Sequence, residues 1–572
     1  MRRMPGPFLF GMKLLLLALL LCLPVGAMAA KAPDLWVTGV LPGVTQGSGD
    51  AQAGPSVHWW YSDLARKYYL FLPSAANMQD LTVWFTGSEE TVTIAGHTVK
   101  SGDSGAFLSP GSDVSVAVGR KKYTLSVMQS AKVPAMFVTT DSGSLTYIHK
   151  KKSNEEPGSL IMRNADGSLE YDGRLAQIKG RGSASFANPK KSYQIKLSRS
   201  ADLCGMGKAK TWILLAEYGD NSLLRDKISF ALAQAAGMPY ISQSQMVDLY
   251  VNGEYRGAYL LCEKVEIGAT RIDITDLDKA TEAVNEQPLD EYKAFGYTGS
   301  RGGTGKGYLI PNDPEDITGG YLLQLEKPHR FSGNPSGFTT RKGQPVLIKE
   351  PTAASEAQVA YISSLIQSFE NALFSEDGID KGTGKYYSDI IDMDSLVKKY
   401  ILEEFSKNVD ANRTSFYLYK PADSESTKLY AGPVWDYDLG FGNYENNRAK
   451  TLKYPEYFAT NKDHGMAFYW FPQLYSHQDF YDQVVKTYHA SFVPALNVLL
   501  GLAEDPTGSV RSLDEYAAEL DACAAMNFSR WKVFNLSKRP VKTGKDYTEN
   551  IEYLKNFISG RMAFLAENWK EQ

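Results

Sequence analysis

The chain has only four cysteines in 572 residues, and one of them, Cys22, lies inside an apolar run near the N-terminus. The three that follow, Cys204, Cys262 and Cys523, are too few and too odd in number for a disulfide framework, although a single Cys204–Cys262 bridge stays possible. Seven histidines are present without an H-E-x-x-H, and no Cys/His spacing suits zinc, so there is no metallohydrolase signature. Positive charge is not concentrated either. The one basic triplet, Lys150 to Lys152, reads as a solvated turn, and with a formal net charge of -4 a nucleic-acid partner is not expected. The longest apolar run, Leu14 to Leu23, is too short to span a membrane. No repeat of 20 to 50 residues is found.

What is present is a long, aromatic-rich chain. Hydrophobic residues make up 43% and aromatic residues 12%, a composition that packs, and the length calls for two or three domains. Arg2, Arg3 and Lys13 precede the apolar run, and Pro24 and Ala27-Met28-Ala29 follow it. That is the layout of a Sec-type signal peptide over residues 1–29, so a secreted or cell-surface protein is expected. Residues 30–131 hold short alternating runs between Gly, Ser, Pro and Asp, as in a β-sandwich-like accessory module. Trp59 to Asp63 (WWYSD) is either an aromatic core edge or a patch for cell-envelope or carbohydrate contact.

From residue 132 the pattern is α+β. A strand Leu175 to Lys179 runs into Gly180-Arg181-Gly182-Ser183-Ala184-Ser185, and a returning strand begins at Lys190-Lys191 and alternates through Tyr193, Ile195 and Leu197. Such a turn can aim N–H and hydroxyl donors at phosphate oxygens, with lysines to neutralise them; a plain hairpin with solvated lysines has the same signature. Next come a strand at Thr211 to Ala216 and a helix from Ser222, as N-cap, to Ala236. Arg225 and Asp226 in its first turns face either solvent or a ligand. Asn252-Gly253 marks a hairpin whose second strand ends at Glu263-Lys264. Residues 273–316 read as a polar inserted loop. Within it GSRGGTGKG fails as a phosphate loop on spacing. Strands at Gly319 to Lys327 and Val346 to Pro351 complete a sheet-rich part to about residue 350. Helices at Glu356 to Phe374, Met393 to Lys407, His477 to Leu502, Ser512 to Ala525 and Asn550 to Trp569 dominate residues 351–572.

The stretch that organises the rest runs from Glu404 to Asn443. It sets Asp410 after a helix, then a hairpin whose first strand is Ser415 to Lys420, then Asp436 and Asp438 beside Gly440 and Gly442. A magnesium-dependent phosphoryl transferase needs one carboxylate to orient the attacking hydroxyl and another to hold the metal on the nucleotide phosphates. Hairpin-flanking aspartates also serve simply as turn formers.

Five motifs in order, IKGRGSASFANPKKSYQIKL, LLRDKISFALA, VDLYVNGEYRGAYLLCEKV, KNVDANRTSFYLY and GPVWDYDLGFG, resemble the CotH family of atypical secreted or spore-coat protein kinases, from about Val133 to the C-terminus. The resemblance implies a divergent two-lobed kinase-like fold over residues 132–572, using ATP with Mg2+, or Mn2+ in its place, to phosphorylate Ser or Thr of a protein substrate. It implies Asp410 as catalytic aspartate and Asp436 as metal ligand, with Asp438 and Asn412 as further metal candidates. Lys191, or else Lys190 or Lys196, would pair the phosphates, and Arg181, Ser183 and Ser185 would cover them. Apart from the resemblance, Glu263 at its strand end stands at a nucleotide-facing or linker position, or else in a surface ion pair. A non-catalytic adhesion or scaffold protein on the same fold is the alternative; a carbohydrate-active enzyme would need a carboxylate pair that the sequence does not place.

Overall fold

The computed structural model describes residues 34–41, 55–87, 89–298, 303–410, 414–444, 456–459, 470–534 and 544–571. Residues 1–29, expected to be a signal peptide, and Asn412 lie outside the described residues. The fold is mixed α+β with several sheets.

Alternation of apolar and polar residues puts every second side chain of a strand on one face, and the first part of the chain uses it to build two sheets. One has four strands in the order Val57–His58, Leu35–Thr38, Thr82–Phe85 and Asp103–Ser104; the other has six, running from Trp60–Ser62 and Lys67–Leu72 through Lys121–Gln129 to Thr91–Ile94 and His97–Lys100. Val37, Leu70, Val83, Val92, Val116 and Val127 fill one core between them. Trp59 is buried there, stacked on Tyr68 with ring centroids 3.9 Å apart, while Tyr61 and Asp63 are exposed, so WWYSD is an aromatic edge of this core. The same core continues past residue 131 into Phe137, Tyr250, Tyr255 and Met526, with Phe71 and Tyr255 ring centroids 4.8 Å apart.

Seven strands then close a barrel: Ala135–Thr140, Glu155–Arg163, Leu169–Arg181, Ser192–Asp202, Lys208–Leu215, Glu254–Glu263 and Ser244–Val251, the last lying parallel to the first. Closure removes free sheet edges. Ile178, Tyr193, Ile195, Leu197, Trp212, Leu214 and Leu261 point inward, as their alternation requires. The Asn252-Gly253 turn adopts φ of +51° and +80°, the left-handed pair that a two-residue hairpin demands.

Two expectations are corrected here. Residues 273–316 are not a structureless insertion, because they contain the helix Leu277–Glu282 and the hairpin Ala294–Thr298/Thr304–Tyr308. The GTGKG residues form part of that hairpin. The strands between residues 294 and 350, expected to complete one sheet-rich part with those before them, stand apart from the barrel. With Phe416–Lys420 and Tyr430–Ala431 they make a separate seven-stranded sheet, in which Tyr321–Leu325 pairs antiparallel with Phe416–Lys420. All five residues of Tyr321–Leu325 are buried, and a central place in a covered sheet satisfies them where a solvent-facing barrel edge would not.

The long helices Glu356–Leu373, Met393–Ser406, Leu513–Arg530 and Tyr547–Asn568 pack around this sheet and the outer barrel wall in one extended core. Ser355 and Gln358 form a capping box on the first of them. Cys204, Cys262 and Cys523 are all free thiols: Cys262 is buried in the helix-lined core, whereas Cys204 occupies a partly exposed left-handed turn position.

Candidate active site between barrel, helix and third sheet

The helix Met393–Ser406 ends at Lys407, which takes the left-handed conformation (φ +50°) common after a C-terminus. The chain turns at once, and the buried Asn408 accepts the Asp410 N–H through Oδ1 at 3.1 Å, so Asp410 is presented just beyond the helix. Ser415, at φ +58°, starts the next strand and donates its hydroxyl to Asp436 Oδ2 at 2.8 Å. The hairpin thus brings the second aspartate back beside the first. Asp436 itself sits at φ +72°, a conformation that costs a non-glycine residue on the order of 1–3 kcal/mol and persists only where its surroundings enforce it.

Those surroundings can be named. Tyr437 donates its N–H to Asp226 Oδ1 at 2.6 Å and its hydroxyl to Glu403 Oε1 at 2.8 Å, and the fully buried Lys399 ammonium completes the cluster, 2.6 Å from Glu403. Beyond it, Arg225 donates to the carbonyls of Gly440 and Phe441 at 3.1 and 3.4 Å while forming a fully buried ion pair with Asp220. Gly442 has φ +73°, and a Cβ there would lie 2.7 Å from the Phe557 ring, so glycine is required.

The helix expected to start at Ser222 begins at Arg225 instead. Asp220 takes the N–H groups of Ser222, Leu224 and Arg225, doing the capping that Ser222 was expected to do. Arg225 and Asp226 consequently face inward, toward the loop that carries Asp436.

The electrostatics are those of an acid cluster short of counter-charge. Burial, then the nearby Asp410 carboxylate, raises the Asp436 pKa, while the Ser415 hydroxyl, Arg181 and Arg330 oppose the rise. Burial and Asp436 push Asp226 up to about 7. Glu217 is driven well above the usual carboxylate range by burial and by Asp226, Asp220 and Asp438, and its buried Oε2 has no hydrogen-bond partner. Hard carboxylate oxygens of this kind suit Mg2+. Among the described residues no group of three or more His, Cys, Asp or Glu side chains is gathered as a ready-made metal cage. Mg2+ is ordinarily held by one or two carboxylates plus substrate phosphates, so the donor set fits.

The other expected site residues divide. Arg181 joins the cluster: its guanidinium lies 5.4 Å from the Trp435 ring centroid, and its charge acts on Asp436. Asp438 acts on Glu217, and its carbonyl accepts from Asn443 at 2.7 Å. Glu263 is buried at the barrel rim, 2.5 Å from Arg271, lining a cleft of about 280 Å³ with Gln243, Lys264 and Pro433. Lys191 is turned away, donating to the carbonyls of Phe186 and Asn188 at 2.6 and 3.2 Å and so tying its own turn together. Lys190 is buried under Asn527, its Nζ 2.8 Å from Oδ1, and burial lowers its pKa to about 7. Lys196 is exposed on the outer barrel wall, as is Ser183 on its turn, and Ser185 opens a 3-10 turn. Glu217, Lys327 and Arg330 were missed by sequence reasoning. Lys327 lies 3.0 Å from Asp410, and the strand register Leu325↔Phe416 puts it there. No spacing in the sequence announces a partner 83 positions away.

The family model described as "CotH kinase protein" matches residues 177–565, which takes in every one of these side chains. The chain belongs to the CotH kinase protein family. The CotH match begins within the strand Leu169–Arg181, so the two N-terminal sheets and the first barrel strands lie outside it. No curated protein matches the chain. One solved structure, a protein from Bacteroides thetaiotaomicron provisionally described as a glycoside hydrolase, is 15% identical over 50% of this chain and 59% of its own, with a TM-score of 0.11, a likeness too low to inform the CotH fold or its chemistry.

Proposed function

We propose that this CotH protein is a secreted or cell-surface atypical protein kinase that transfers the γ-phosphoryl group of ATP to Ser or Thr hydroxyls of a protein substrate. The carrying observation is the meeting of Asp410 and Asp436 across one hairpin, with Arg181, Lys327 and Arg330 charges around them. The proposed organisation is a signal peptide over 1–29, an accessory β module over 30–131 and a two-lobed kinase-like unit over 132–572, its cleft between the barrel and the helical part.

Asp410, held by Asn408, orients the substrate hydroxyl and accepts its proton. Asp436 and Asp438, with Asn412 and either Asp226 or Glu217, would hold Mg2+ or Mn2+. That ion supplies charge neutralisation on the nucleotide phosphates when bound. Arg181 faces the phosphates from the barrel side, and Glu263 borders the nucleotide from the rim. Positioning and fixed charge carry catalysis in this reaction class, and the buried scaffold of Asp226, Tyr437, Glu403 and Lys399 supplies rigidity.

A non-catalytic scaffold is the second reading, and one observation favours it: Lys191, the expected phosphate partner, is spent on its own turn. Thermal unfolding with ATP and Mg2+ separates the two. A nucleotide-binding site raises Tm with ligand concentration, whereas an unchanged Tm at millimolar ATP and Mg2+ points to the scaffold.

A further inference from the structure

The strand Tyr321–Leu325 runs through the buried Glu326 into Lys327 and the short helix Pro328–Phe331. Glu326 accepts the Lys327 N–H through Oε1 at 2.8 Å and lies 3.5 Å from Arg330, while Gln324 donates to its other oxygen at 3.3 Å. One buried carboxylate therefore anchors the backbone at Lys327 and pairs with the Arg330 guanidinium. Lys327 reaches Asp410 at 3.0 Å, and Arg330 donates to Thr414 Oγ1 at 3.2 Å while its charge acts on Asp436. Both side chains keep part of their surface open, 19% for Lys327 and 30% for Arg330, so each can still meet a ligand. The far end of the segment is fastened as well, because Lys306 donates to the Phe331 carbonyl at 2.5 Å.

A fold-stabilising role explains this poorly. Lys327 and Asp410 keep 19% and 21% of their side-chain surfaces open, so the pair is reachable from solvent rather than sealed in the core. The arrangement makes sense when an anion enters between them. We propose that Lys327 and Arg330 are the jaw that takes the terminal phosphoryl group of the nucleotide, standing where Lys191 was expected to act. This inference rests on the kinase reading given above.

In the step it serves, the bond between the γ-phosphorus and the β,γ-bridging oxygen breaks, and its electron pair leaves with ADP. A new P–O bond forms to the substrate hydroxyl, whose proton passes to Asp410. Lys327 and Arg330 meet negative charge on the γ-phosphoryl oxygens, and Lys327 is drawn off Asp410 as they arrive, leaving that carboxylate free to accept the proton. Removing one such preorganised donor from a transition state typically costs about 100- to 1000-fold in kcat.

The test uses the full chain with Lys327→Met, Lys327→Arg, Arg330→Gln and, as control, Asp410→Ala. Transfer from labelled ATP with Mg2+ is measured, with calorimetric binding of ATP and of ADP alongside. Lys327→Met and Arg330→Gln are expected to lose about 100-fold in kcat, with Tm held and ADP affinity unchanged within about threefold. The preference for ATP over ADP should shrink, and Lys327→Arg should recover part of both. If Asp410→Ala abolishes transfer while Lys327→Met and Arg330→Gln keep wild-type kcat and ATP/ADP preference, the jaw is wrong and the kinase reading stands. If the wild type neither transfers phosphate nor prefers ATP over ADP, the kinase reading falls and the jaw falls with it.

Discussion

Replacing Arg225 by Met should be among the most damaging single changes in the chain. Arg225 is completely buried, its guanidinium is paired with the equally buried Asp220, and it donates to Ser222 Oγ at 3.0 Å and to the Gly440 and Phe441 carbonyls at 3.1 and 3.4 Å. Methionine fills similar volume but leaves Asp220 charged, buried and short of its counter-ion. Breaking a buried pair from one side costs about 3–5 kcal/mol, a large part of the roughly 5–15 kcal/mol that stabilises a typical domain. At about 2–4 °C per kcal/mol for a unit of this size, Tm should fall by about 10 °C. Asp220→Asn together with Arg225→Met removes both charges, and the double variant should be at least about 1 kcal/mol less damaged than the sum of the singles. Calorimetric scans and urea titrations of the four proteins measure this. A loss below about 1 kcal/mol for Arg225→Met, or strict additivity in the cycle, would refute the reasoning that this pair anchors the Asp436 loop.

Other outcomes follow from the same contacts. Ser415→Ala removes the hydroxyl that steadies Asp436, and should cost about 1 kcal/mol in stability while weakening Mg2+-dependent nucleotide binding, read by calorimetry. Gly442→Ala forces a Cβ against the Phe557 ring at φ +73°, and should lower stability by about 1–3 kcal/mol in urea titrations. Lys196→Met, on the exposed barrel wall, should leave ATP affinity unchanged. Burial raises Asp248 to about 6, so the folded protein keeps a proton that the unfolded chain has released. Its contribution to stability is therefore full below about pH 4 and is lost as pH rises to about 6, by about 3 kcal/mol; Asp248→Asn should flatten that slope in urea titrations across the interval.

Much of the fold was legible because it is written in short-range pattern. The alternation of Tyr193, Ile195 and Leu197 places them inside the barrel, Asn252-Gly253 turns where its left-handed propensity says, and the helices at Glu356 and Met393 start where their periodicity begins. Barrel closure was not legible, since it depends on Ala135–Thr140 pairing with Ser244–Val251 more than a hundred residues away. The division of strands between barrel and third sheet escaped for the same reason. At the site, Asp410, Asp436 and Arg181 stand in compact motifs and lie near one another. Lys191 did not, because the two adjacent lysines lie just before the strand Ser192–Asp202 and neither is free: one closes its turn and the other is buried against Asn527. Glu217, Lys327 and Arg330 reach the site through strand register and helix packing, which leave no local mark.

The central claim is that Asp410 and Asp436 work on one nucleotide in one cleft. Incubation with γ-labelled ATP, with and without Mg2+, on wild type, Asp410→Ala and Asp436→Asn measures it most directly. Metal-dependent label transfer by the wild type, lost in both variants, with metal-dependent ATP binding kept by Asp410→Ala and lost by Asp436→Asn, is the predicted result. Equal labelling by all three proteins, or no transfer and no nucleotide binding by the wild type, would contradict it.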